Sequence, residues 1–320
     1  MPKPTDITHH TIILMNQTDL KVGYTAGILA AAFYGLNPLF ALPLYGQGMD
    51  AWSVLLFRYV LSLPMLGLML YKQGVSLRIN RHEAWALLLL GFLMAGSSVL
   101  LYLSYMYMDA GIASTILFMY PILTAVLMAL FYGERMHWLV GFCLALATLG
   151  IYVLSSASNK GAVHVSTLGV GMVILSALAY ALYLIYINRG AVKGMPSIKV
   201  TFYVLAMGCL PLMAGVAMQG QLIMPHGWYW ACSLGSALLP TALSLALTGV
   251  AIQKIGSTET AILGAMEPIT AVAVGVIIFS EHISPQSALG IVLIVTAVTI
   301  VIAKGGKQKP AYLAENRKKK

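Results

Sequence analysis

Charged residues are scarce in this sequence: they make up 9% of its 320 residues, against 59% that are hydrophobic. In an ordinary soluble domain about a quarter of the residues are charged. The scarcity therefore excludes a soluble globular protein. Apolar runs occupy nearly the whole chain, so no room remains for a separate soluble domain.

Cysteines are few, and the signatures of catalysis and nucleotide binding are missing. Cys143, Cys209 and Cys232 lie alone in apolar segments, which argues against a disulfide framework or a metal site. His82-Glu83 lacks the second histidine of a zinc-protease motif, and no phosphate-binding loop with its lysine occurs. We therefore predict no enzyme, no cofactor, no bound metal and no ATP-driven pump.

What the chain does contain is a series of apolar stretches long enough to cross a bilayer. About 20 mostly apolar residues span roughly 30 Å of hydrocarbon. Ten stretches reach this length, near 22–44, 52–71, 84–107, 111–131, 137–155, 167–187, 199–218, 228–251, 258–279 and 286–303. The sequence therefore predicts an all-α polytopic membrane protein with ten transmembrane helices.

The net charge of +9 indicates topology rather than nucleic-acid binding. With the N-terminus inside, every basic residue except Lys160 and Arg58 falls on that same side. Because basic loops mark the cytoplasmic side, we predict a plasma (inner) membrane protein with both termini cytoplasmic and no nucleic-acid partner. The basic tail, residues 317–320, either contacts anionic membrane lipids or is simply solvated.

The chain repeats itself at an offset of 147 residues. Pro121 lies inside an apolar run and is followed thirteen residues later by Glu134, and Pro268 and Glu281 have the same relation. Upstream, AAFYGLN matches ALAYALY at an offset of 146. A repeat of this length built from membrane-length segments is typical of a duplicated transporter.

Two repeats of five spans follow from this match, at 22–155 and 167–303. The remaining segments are an N-terminal segment 1–21, a linker 156–166 and a basic tail 304–320. Since five is odd, the second repeat must cross the membrane in the opposite sense to the first. The predicted fold is therefore two inverted five-helix repeats related by a pseudo-two-fold axis in the membrane plane.

The chain resembles the ten-helix branch of the drug/metabolite transporter superfamily, which is built from two EamA-type repeats. The resemblance covers about 22–303 and is carried by Phe57-Arg58, the segments 121–134 and 267–281, and Tyr34 and Tyr180 in each repeat's first helix. It implies export of amino acids, related metabolites or drugs. The four-helix relatives couple to protons through a glutamate in their first span. Spans 1 and 6 here contain no acidic residue, so that mechanism is not transferred.

Glu267 is the only carboxylate in the middle of a predicted span. An ionisable group near the bilayer midplane costs about 3 kcal/mol or more, so it should face a cavity or a partner. Pro268 follows directly and is expected to free the carbonyl of Gly264. Glu267 is either a cation- or amine-binding group, with proton exchange as one possibility, or a neutral side chain that joins two helices.

Polar residues at helical spacing mark several other spans. The stripes are Ser98, Tyr102 and Tyr105; Ser176, Tyr180 and Tyr183; and Thr241, Ser244 and Thr248. We predict a shared central cavity walled by aromatic rings, where substrate contacts Asn37, Tyr34, Tyr102, Tyr105, Tyr120, Tyr180, Tyr183 and Glu267. The serines and threonines taken singly are better explained as helix-packing groups.

Three further charged residues are assigned structural roles. Arg58 lies inside span 2, where it could attract an anionic substrate group; we favour instead that it reaches outward or pairs with a carbonyl. Glu134 and Glu281 each lie between two helices, and we expect each to cap the helix that follows it.

The sequence thus predicts a secondary transporter that moves small organic solutes by alternating access. The proton is its candidate coupling ion, and the protein acts as a monomer or a homodimer. The alternatives are a flippase for a lipid-linked amphiphile, which would need a lateral opening between spans, and a membrane-embedded lipid-modifying enzyme. The enzyme would need clustered acid, base or metal-binding residues, which the sequence lacks.

Overall fold

The computed structural model describes residues 4–133, 138–158, 165–255 and 257–305. They form fourteen α-helices and one π-helical segment: α1 (Pro4–Gly35), α2 (Asn37–Gly46), α3 (Ala51–Lys72), α4 (Arg81–Ser104), α5 (Ala110–Leu117), α6 (Tyr120–Tyr132), α7 (Trp138–Ser158), α8 (Thr167–Arg189), α9 (Ser197–Gln219), α10 (Tyr229–Ala237), the π-helical segment (Leu238–Leu243), α11 (Ser244–Ile255), α12 (Ser257–Leu263), α13 (Met266–Phe279) and α14 (Pro285–Gly305).

Nine spans in the described part of the chain are long and apolar enough to cross a membrane. Several are broken helices; for example, α1 and α2 together supply the span Asp19–Gly46. The remaining apolar stretch, Trp138–Leu154 within α7, is shorter. The predicted all-helical, two-repeat membrane fold is confirmed in the described part of the chain.

Short polar side chains begin several helices at the expected membrane surfaces. Asp50 Oδ1 accepts hydrogen bonds from the backbone amides of Trp52 and Ser53, at 2.8 and 3.0 Å, at the start of α3. At the start of α4, the side chains of Asn80 and Glu83 each cap the other's backbone amide. These caps provide partners for amides that a helix leaves unpaired at its N-terminus.

Prolines coincide with the breaks in the spans. Pro38 lies at the α1–α2 break, Pro121 at the α5–α6 break and Pro268 at the α12–α13 break, while Pro240 lies in the π-helical segment between α10 and α11. A proline cannot donate the helical hydrogen bond, so the backbone rearranges around it. The fourth span is broken in both repeats, the first span only in the first repeat, and the third only in the second.

Matching hydrogen bonds relate the two repeats. Ser97 Oγ donates to the Ser176 carbonyl at 3.0 Å and joins α4 to α8. Ser244 Oγ donates to the Ala30 carbonyl at 2.9 Å and joins α11 to α1. Ser97 and Ser244 are 147 residues apart, and Ala30 and Ser176 are 146 apart. Each repeat's third span therefore packs against the other repeat's first span.

Two polar contacts hold loop-proximal segments together. Lys254 Nζ lies 2.6 Å from Asp19 Oδ1, and Lys199 Nζ donates to the Arg78 carbonyl at 2.6 Å. Both contacts join segments that the basic-residue pattern assigns to one side of the membrane. Their pairing agrees with the predicted threading of the chain.

Candidate functional site

A buried arginine forms hydrogen bonds with side chains of both repeats. Arg58, on α3, is only 4% exposed. Its Nε donates to Thr241 Oγ1 and its Nη1 to the Tyr102 hydroxyl, both at 2.9 Å. The Tyr102 hydroxyl in turn donates to Asn37 Oδ1 at 3.3 Å. Side chains from α2, α3, α4 and the π-helical segment therefore meet in one network.

Both structural roles favoured for Arg58 are wrong. The side chain does not reach outward, and its hydrogen bonds go to hydroxyls rather than to carbonyls. Among the described residues, no carboxylate forms an ion pair with it, and its Nη2 group has no hydrogen-bond partner. A guanidinium inside a membrane bundle requires polar partners. We therefore add Arg58 to the candidate site, which sequence reasoning left out.

Tyr102 is held from two further directions. The Tyr45 hydroxyl donates to the Tyr102 carbonyl at 2.8 Å, and the Tyr105 ring packs against the Tyr102 ring with centroids 5.4 Å apart. Tyr102 and Tyr105 are both buried. These two predicted site residues therefore support the arginine network from within packed protein. Tyr45 was missed by sequence reasoning, since it lies just beyond the predicted end of the first span and belongs to none of the polar stripes.

Tyr34 lies where polar side chains from both repeats converge. Its phenol is within electrostatic range of Glu267, Arg58 and Tyr102. Asn37 Nδ2 donates to the Tyr34 carbonyl at 2.8 Å, across the α1–α2 break. Tyr34 is only half-buried although residues of α3, α4 and α13 surround it. It therefore borders an interior space rather than packed core.

Three more predicted tyrosines form an aromatic wall. The Tyr120 and Tyr180 rings meet edge to face with centroids 4.8 Å apart, and Tyr180 stacks on Tyr183 at 5.6 Å. Tyr120 and Tyr180 are half-buried, and both are within electrostatic range of Glu267. The wall is built from α6 of the first repeat and α8 of the second.

Glu267 lies at the start of α13, beside this wall, and is 9% exposed. Its carboxylate forms no hydrogen bond or ion pair with a described residue. The prediction that Pro268 leaves the Gly264 carbonyl free is wrong. That carbonyl accepts the backbone amide of Glu267 at 2.9 Å, because the chain tightens into a turn before the proline.

Serines and threonines of the polar stripes bond to their own helix or to another helix, outside the arginine network. Ser98 Oγ lies 2.9 Å from the Tyr59 hydroxyl, and Thr248 Oγ1 donates to the Ser244 carbonyl at 2.8 Å. Thr241 is the exception, since it binds Arg58. Tyr59, buried beside Arg58 on α3, was missed by sequence reasoning; its position next to the arginine was the available signal.

Glu281 links the two repeats at one end of the bundle. Its carboxylate accepts the backbone amides of Ala110 at 3.0 Å and Gly111 at 3.4 Å, at the N-terminus of α5. The prediction that it caps the helix that follows is wrong. Ser284 takes that role at α14, where its Oγ accepts the amide of Ser287 at 3.0 Å. Glu134, expected to act similarly, lies outside the described residues.

The surroundings of Glu281 raise the pKa of its carboxyl above the ordinary value. Burial is the largest cause, and the nearby Asp109 carboxylate adds to it, while the amides of Ala110 and Gly111 oppose both. The two amides favour the charged form, but they do not outweigh the loss of water.

A separate apolar pocket of about 390 Å³ lies between α2, α10 and α13. It is lined by Leu39, Phe40, Pro43, Trp228, Ala231, Cys232, Ile278 and Phe279. None of these side chains is charged. Within the described ranges, no three histidine, cysteine or acidic side chains cluster in a way that could hold a metal ion.

The EamA-like transporter family model matches the chain twice, over residues 21–156 and 167–303. The chain belongs to the EamA-like transporter family. The resemblance stated from the sequence is thereby confirmed. As a member of this family of membrane transporters, the protein acts on a small-molecule substrate.

Curated relatives of this EamA-like protein are transporters as well. It is 27% identical over 259 residues to the threonine/homoserine exporter RhtA of Escherichia coli (strain K12), covering 78% of this chain and 82% of RhtA. It is 26% identical to an uncharacterized transporter of Synechocystis, covering 88% and 93% of the two chains. A solved crystal structure matches 92% of this chain and 99% of its own, with a TM-score of 0.63 and 16% identity, and so shares the fold.

Proposed function

We propose that this protein exports small organic solutes, amino acids first among them, across the plasma membrane by alternating access. The single observation that carries the proposal is the α1–α2 break, which meets the network of the buried Arg58 through Asn37 on one side and packs against the start of α13, with the buried Glu267, on the other. Transporters bind substrate near the midplane, between repeats and at broken helices. In this proposal the repeats 22–155 and 167–303 rock about that point, with the basic loops and both termini in the cytoplasm.

The proposed substrate contacts are Asn37, Tyr34, Tyr102, Tyr105, Tyr120, Tyr180, Tyr183 and Glu267, to which Arg58 is added. Half-buried Tyr34, Tyr120 and Tyr180 would touch the solute directly. Buried Tyr102 and Tyr105 would act by holding the arginine in place. The family and the likeness to RhtA, a threonine/homoserine exporter, support threonine as the first solute to test.

The flippase alternative is less well supported. A lipid-linked substrate would need a lateral opening with polar groups for its head group. The apolar pocket between α2, α10 and α13 has no charged residue in its lining. Neither Arg58 nor Glu267 lines this pocket. This separation favours a small polar solute over an amphiphile.

Counterflow into proteoliposomes tests the proposal. Vesicles of purified protein are preloaded with unlabelled threonine and diluted into a trace of labelled threonine. The expected result is saturable accumulation that protein-free vesicles lack. Folded protein that gives no counterflow with any amino acid of a full panel would contradict the proposal and direct the search to amphiphilic drugs.

Direction and coupling follow from two further arms of the same assay. Inverted membrane vesicles from cells that produce the protein should take up threonine, if export is the physiological direction. An inward pH step across the proteoliposome membrane should change the initial rate if a proton is the coupling ion, and Glu267→Gln should abolish that change. An unchanged rate in the wild type would exclude proton coupling and would indicate exchange or facilitated diffusion as the transport mode.

The oligomeric state is proposed to be a monomer or a homodimer. Two fused repeats already supply both halves of the site, since Arg58 and Glu267 belong to one chain. Light scattering of the detergent-purified protein measures the mass directly. Full transport by protein that is monomeric in lipid would establish that one chain suffices.

A further inference from the structure

The fourth spans of the two repeats are buried to different extents, although the repeat makes them equivalent. All eight residues of α5 are buried. Its counterpart α12 has no buried residue among 260–263, the part of that helix whose side chains the structure describes. The second halves of the two spans differ in the opposite sense, since α13 buries five residues and α6 buries only Ile122. The more enclosed halves are therefore α5 of the first repeat and α13 of the second.

These two enclosed halves pack against each other. A methyl group on Gly111 of α5 would lie 2.9 Å from Val272 Cα on α13, so the two backbones are in contact. The equivalent pair at the other end of the bundle is α12 with α6, and in the described part of the chain these two helices form no comparable contact. The fourth spans are thus joined at one end of the bundle and apart at the other.

The first and third spans, by contrast, meet at both ends of the bundle. A methyl group on Gly23 would lie 2.6 Å from Ile255 Cγ2, and one on Gly169 would lie 3.1 Å from Met108 Sδ. Gly169 is the counterpart of Gly23 at an offset of 146, and Ile255 is the counterpart of Met108 at an offset of 147. The one-sided contact of the fourth spans therefore points to a conformational state of an otherwise matched pair of repeats.

Glu281 joins the two enclosed halves by hydrogen bonds. It follows α13, and its carboxylate accepts the amides of Ala110 and Gly111 at 3.0 and 3.4 Å. Ser280 before it has a φ of 56°, which is uncommon for a residue other than glycine, and the Glu281 amide donates to the Gly275 carbonyl at 2.9 Å. A methyl group on Gly275 would collide with the Glu281 carboxylate. This local structure holds the carboxylate over the start of α5.

The Glu281 contact is of a kind that can open. No basic side chain in the described ranges forms an ion pair with Glu281. Burial and the nearby Asp109 carboxylate both raise the pKa of the Glu281 carboxyl, and the two amides of α5 oppose them. Because these amides belong to a helix N-terminus at the end of a span, water can replace the carboxylate as their acceptor when the helices separate.

We propose that the structure is the state open to the cytoplasm, and that the contact of Glu281 with the start of α5 is the latch of the outer gate. On the threading that the basic loops favour, α5 begins and α13 ends at the outer surface. The helix α5 leads to the break at Tyr120, and α13 starts beside Glu267, so both run from that surface to the candidate site. A solute leaves the cell only after the two helices have separated. The inference rests on the alternating access of the proposed function and adds the state and the contact that must break.

Two matched cysteine reporters test the assigned state. Ser114 is buried on α5, three residues beyond Gly111 and on the same face, and its counterpart Ala261 is exposed on α12. A membrane-impermeant maleimide is applied to intact cells and to inverted membrane vesicles, and the parent protein, whose three cysteines are buried, is the blank. Ala261→Cys should react from the cytoplasmic side at least about tenfold faster than Ser114→Cys reacts from outside, because the opposite state is the minor one. Equal rates would overturn the assigned state.

Glu281→Ala in each reporter tests the latch. Loss of two hydrogen bonds to a charged acceptor should raise the labelling rate of Ser114→Cys from outside about fivefold or more. The labelling of Ala261→Cys from the cytoplasm should fall at the same time, because in alternating access one side closes as the other opens. Unchanged rates would overturn the latch. A rise at Ser114→Cys without a fall at Ala261→Cys would overturn it as well, since local fraying of α5 explains that result.

Ser284→Ala is the matched control. It removes another cap in the same loop, where Ser284 Oγ accepts the amide of Ser287 at 3.0 Å within one repeat, and it should leave both labelling rates unchanged. Unfolding of Glu281→Ala would be revealed by labelling of the three natural cysteines. In that case Glu281→Gln, which keeps an acceptor oxygen, should give a smaller rise at Ser114→Cys with the same fall at Ala261→Cys. Absence of both changes in this variant would overturn the latch.

The labelling needs no transported solute, so it separates this inference from the proposed function. Absence of counterflow with every amino acid of the panel refutes the proposed function whatever the labelling rates are. Labelling rates that differ from those expected refute the assigned state or the latch and leave the proposed function standing.

Discussion

The two repeats share a fold but differ where the candidate site lies. Glu267 of the second repeat corresponds to Tyr120 of the first, at an offset of 147 residues. At the same offset, which also relates Pro64 to Pro211, Arg58 of the first repeat corresponds to Leu205 of the second. One repeat thus supplies a buried guanidinium and the other a buried carboxyl group. The two repeats share a scaffold, and the positions at which they differ place two ionisable groups in the candidate site.

The breaks in the helices also include some that the two repeats share and some that occur in only one repeat. The fourth span is broken in both repeats, at α5–α6 and at α12–α13, and these breaks carry Tyr120 and Glu267. The α1–α2 break has no counterpart in the continuous α8, and α4 is continuous where the second repeat has its π-helical segment. The unmatched breaks carry Asn37 and Thr241, which both join the arginine network.

The largest loss of transport is expected when Glu267 of the second repeat is replaced by an uncharged residue. Glu267→Ala should lower transport at least about 100-fold while the protein still folds, because the proposed site loses its buried carboxyl group. Glu267→Tyr, which copies the first repeat, should do the same. The measurement is threonine counterflow, with size-exclusion elution as the check on folding. A fully active Glu267→Ala would remove this residue from the site.

Replacing Arg58 of the first repeat should lower transport and leave the stability of the protein nearly unchanged. Arg58→Leu copies Leu205, and we expect transport to fall about 30-fold or more while the melting temperature in detergent changes little. The change removes the cost of burying the guanidinium, and its partners keep other hydrogen bonds, Thr241 to the Ser236 carbonyl and Tyr102 to Asn37. A large loss of melting temperature with transport retained would show that Arg58 is structural.

A smaller effect concerns the cap between the repeats. Glu281→Ala should destabilise the protein by about 1 kcal/mol, since the amides at the start of α5 lose their acceptor. Thermal unfolding in detergent measures this loss. Glu134 is the counterpart of Glu281 in the first repeat. An equal loss of stability in Glu134→Ala would indicate that both repeats have this cap.

Because the pKa of Glu281 is raised, its contribution to stability depends on pH. The folded state binds more protons than the unfolded state between about pH 4.3, the ordinary glutamate value, and the raised pKa of the folded protein. The contribution of Glu281 to stability therefore falls as pH rises through this window. Glu281→Ala should remove that slope, and a slope of opposite sign in the difference between the two proteins would contradict the assignment.

The smallest effects should be equal in the two repeats. Ser97→Ala and Ser244→Ala each remove a hydrogen bond that joins one repeat's third span to the other's first span. Each should cost about 0.6 kcal/mol, the average for such bonds between membrane helices. The two losses should add in the double variant, because the two serines share no hydrogen-bond partner. Unequal losses would mark a real difference between the repeats.

Much of the candidate site was predictable from residue type and depth. Glu267 and the tyrosines near it were found because a carboxylate or a phenol in the middle of an apolar span needs a reason to be there. Arg58 was undervalued, because near the end of a span an arginine has a second explanation. Its partner Thr241 is 183 residues away in the chain, so no local pattern could decide between the two.

The sequence by itself determined the membrane fold, the ten apolar segments and the duplication, because length, hydrophobicity and repetition are properties of the chain read in order. Only the tertiary structure decided that Arg58 bonds to hydroxyls from both repeats and that Glu281 caps α5, which is 171 residues away from it. Such contacts depend on which helices pack together, and packing is set by the shapes of distant surfaces rather than by local spacing.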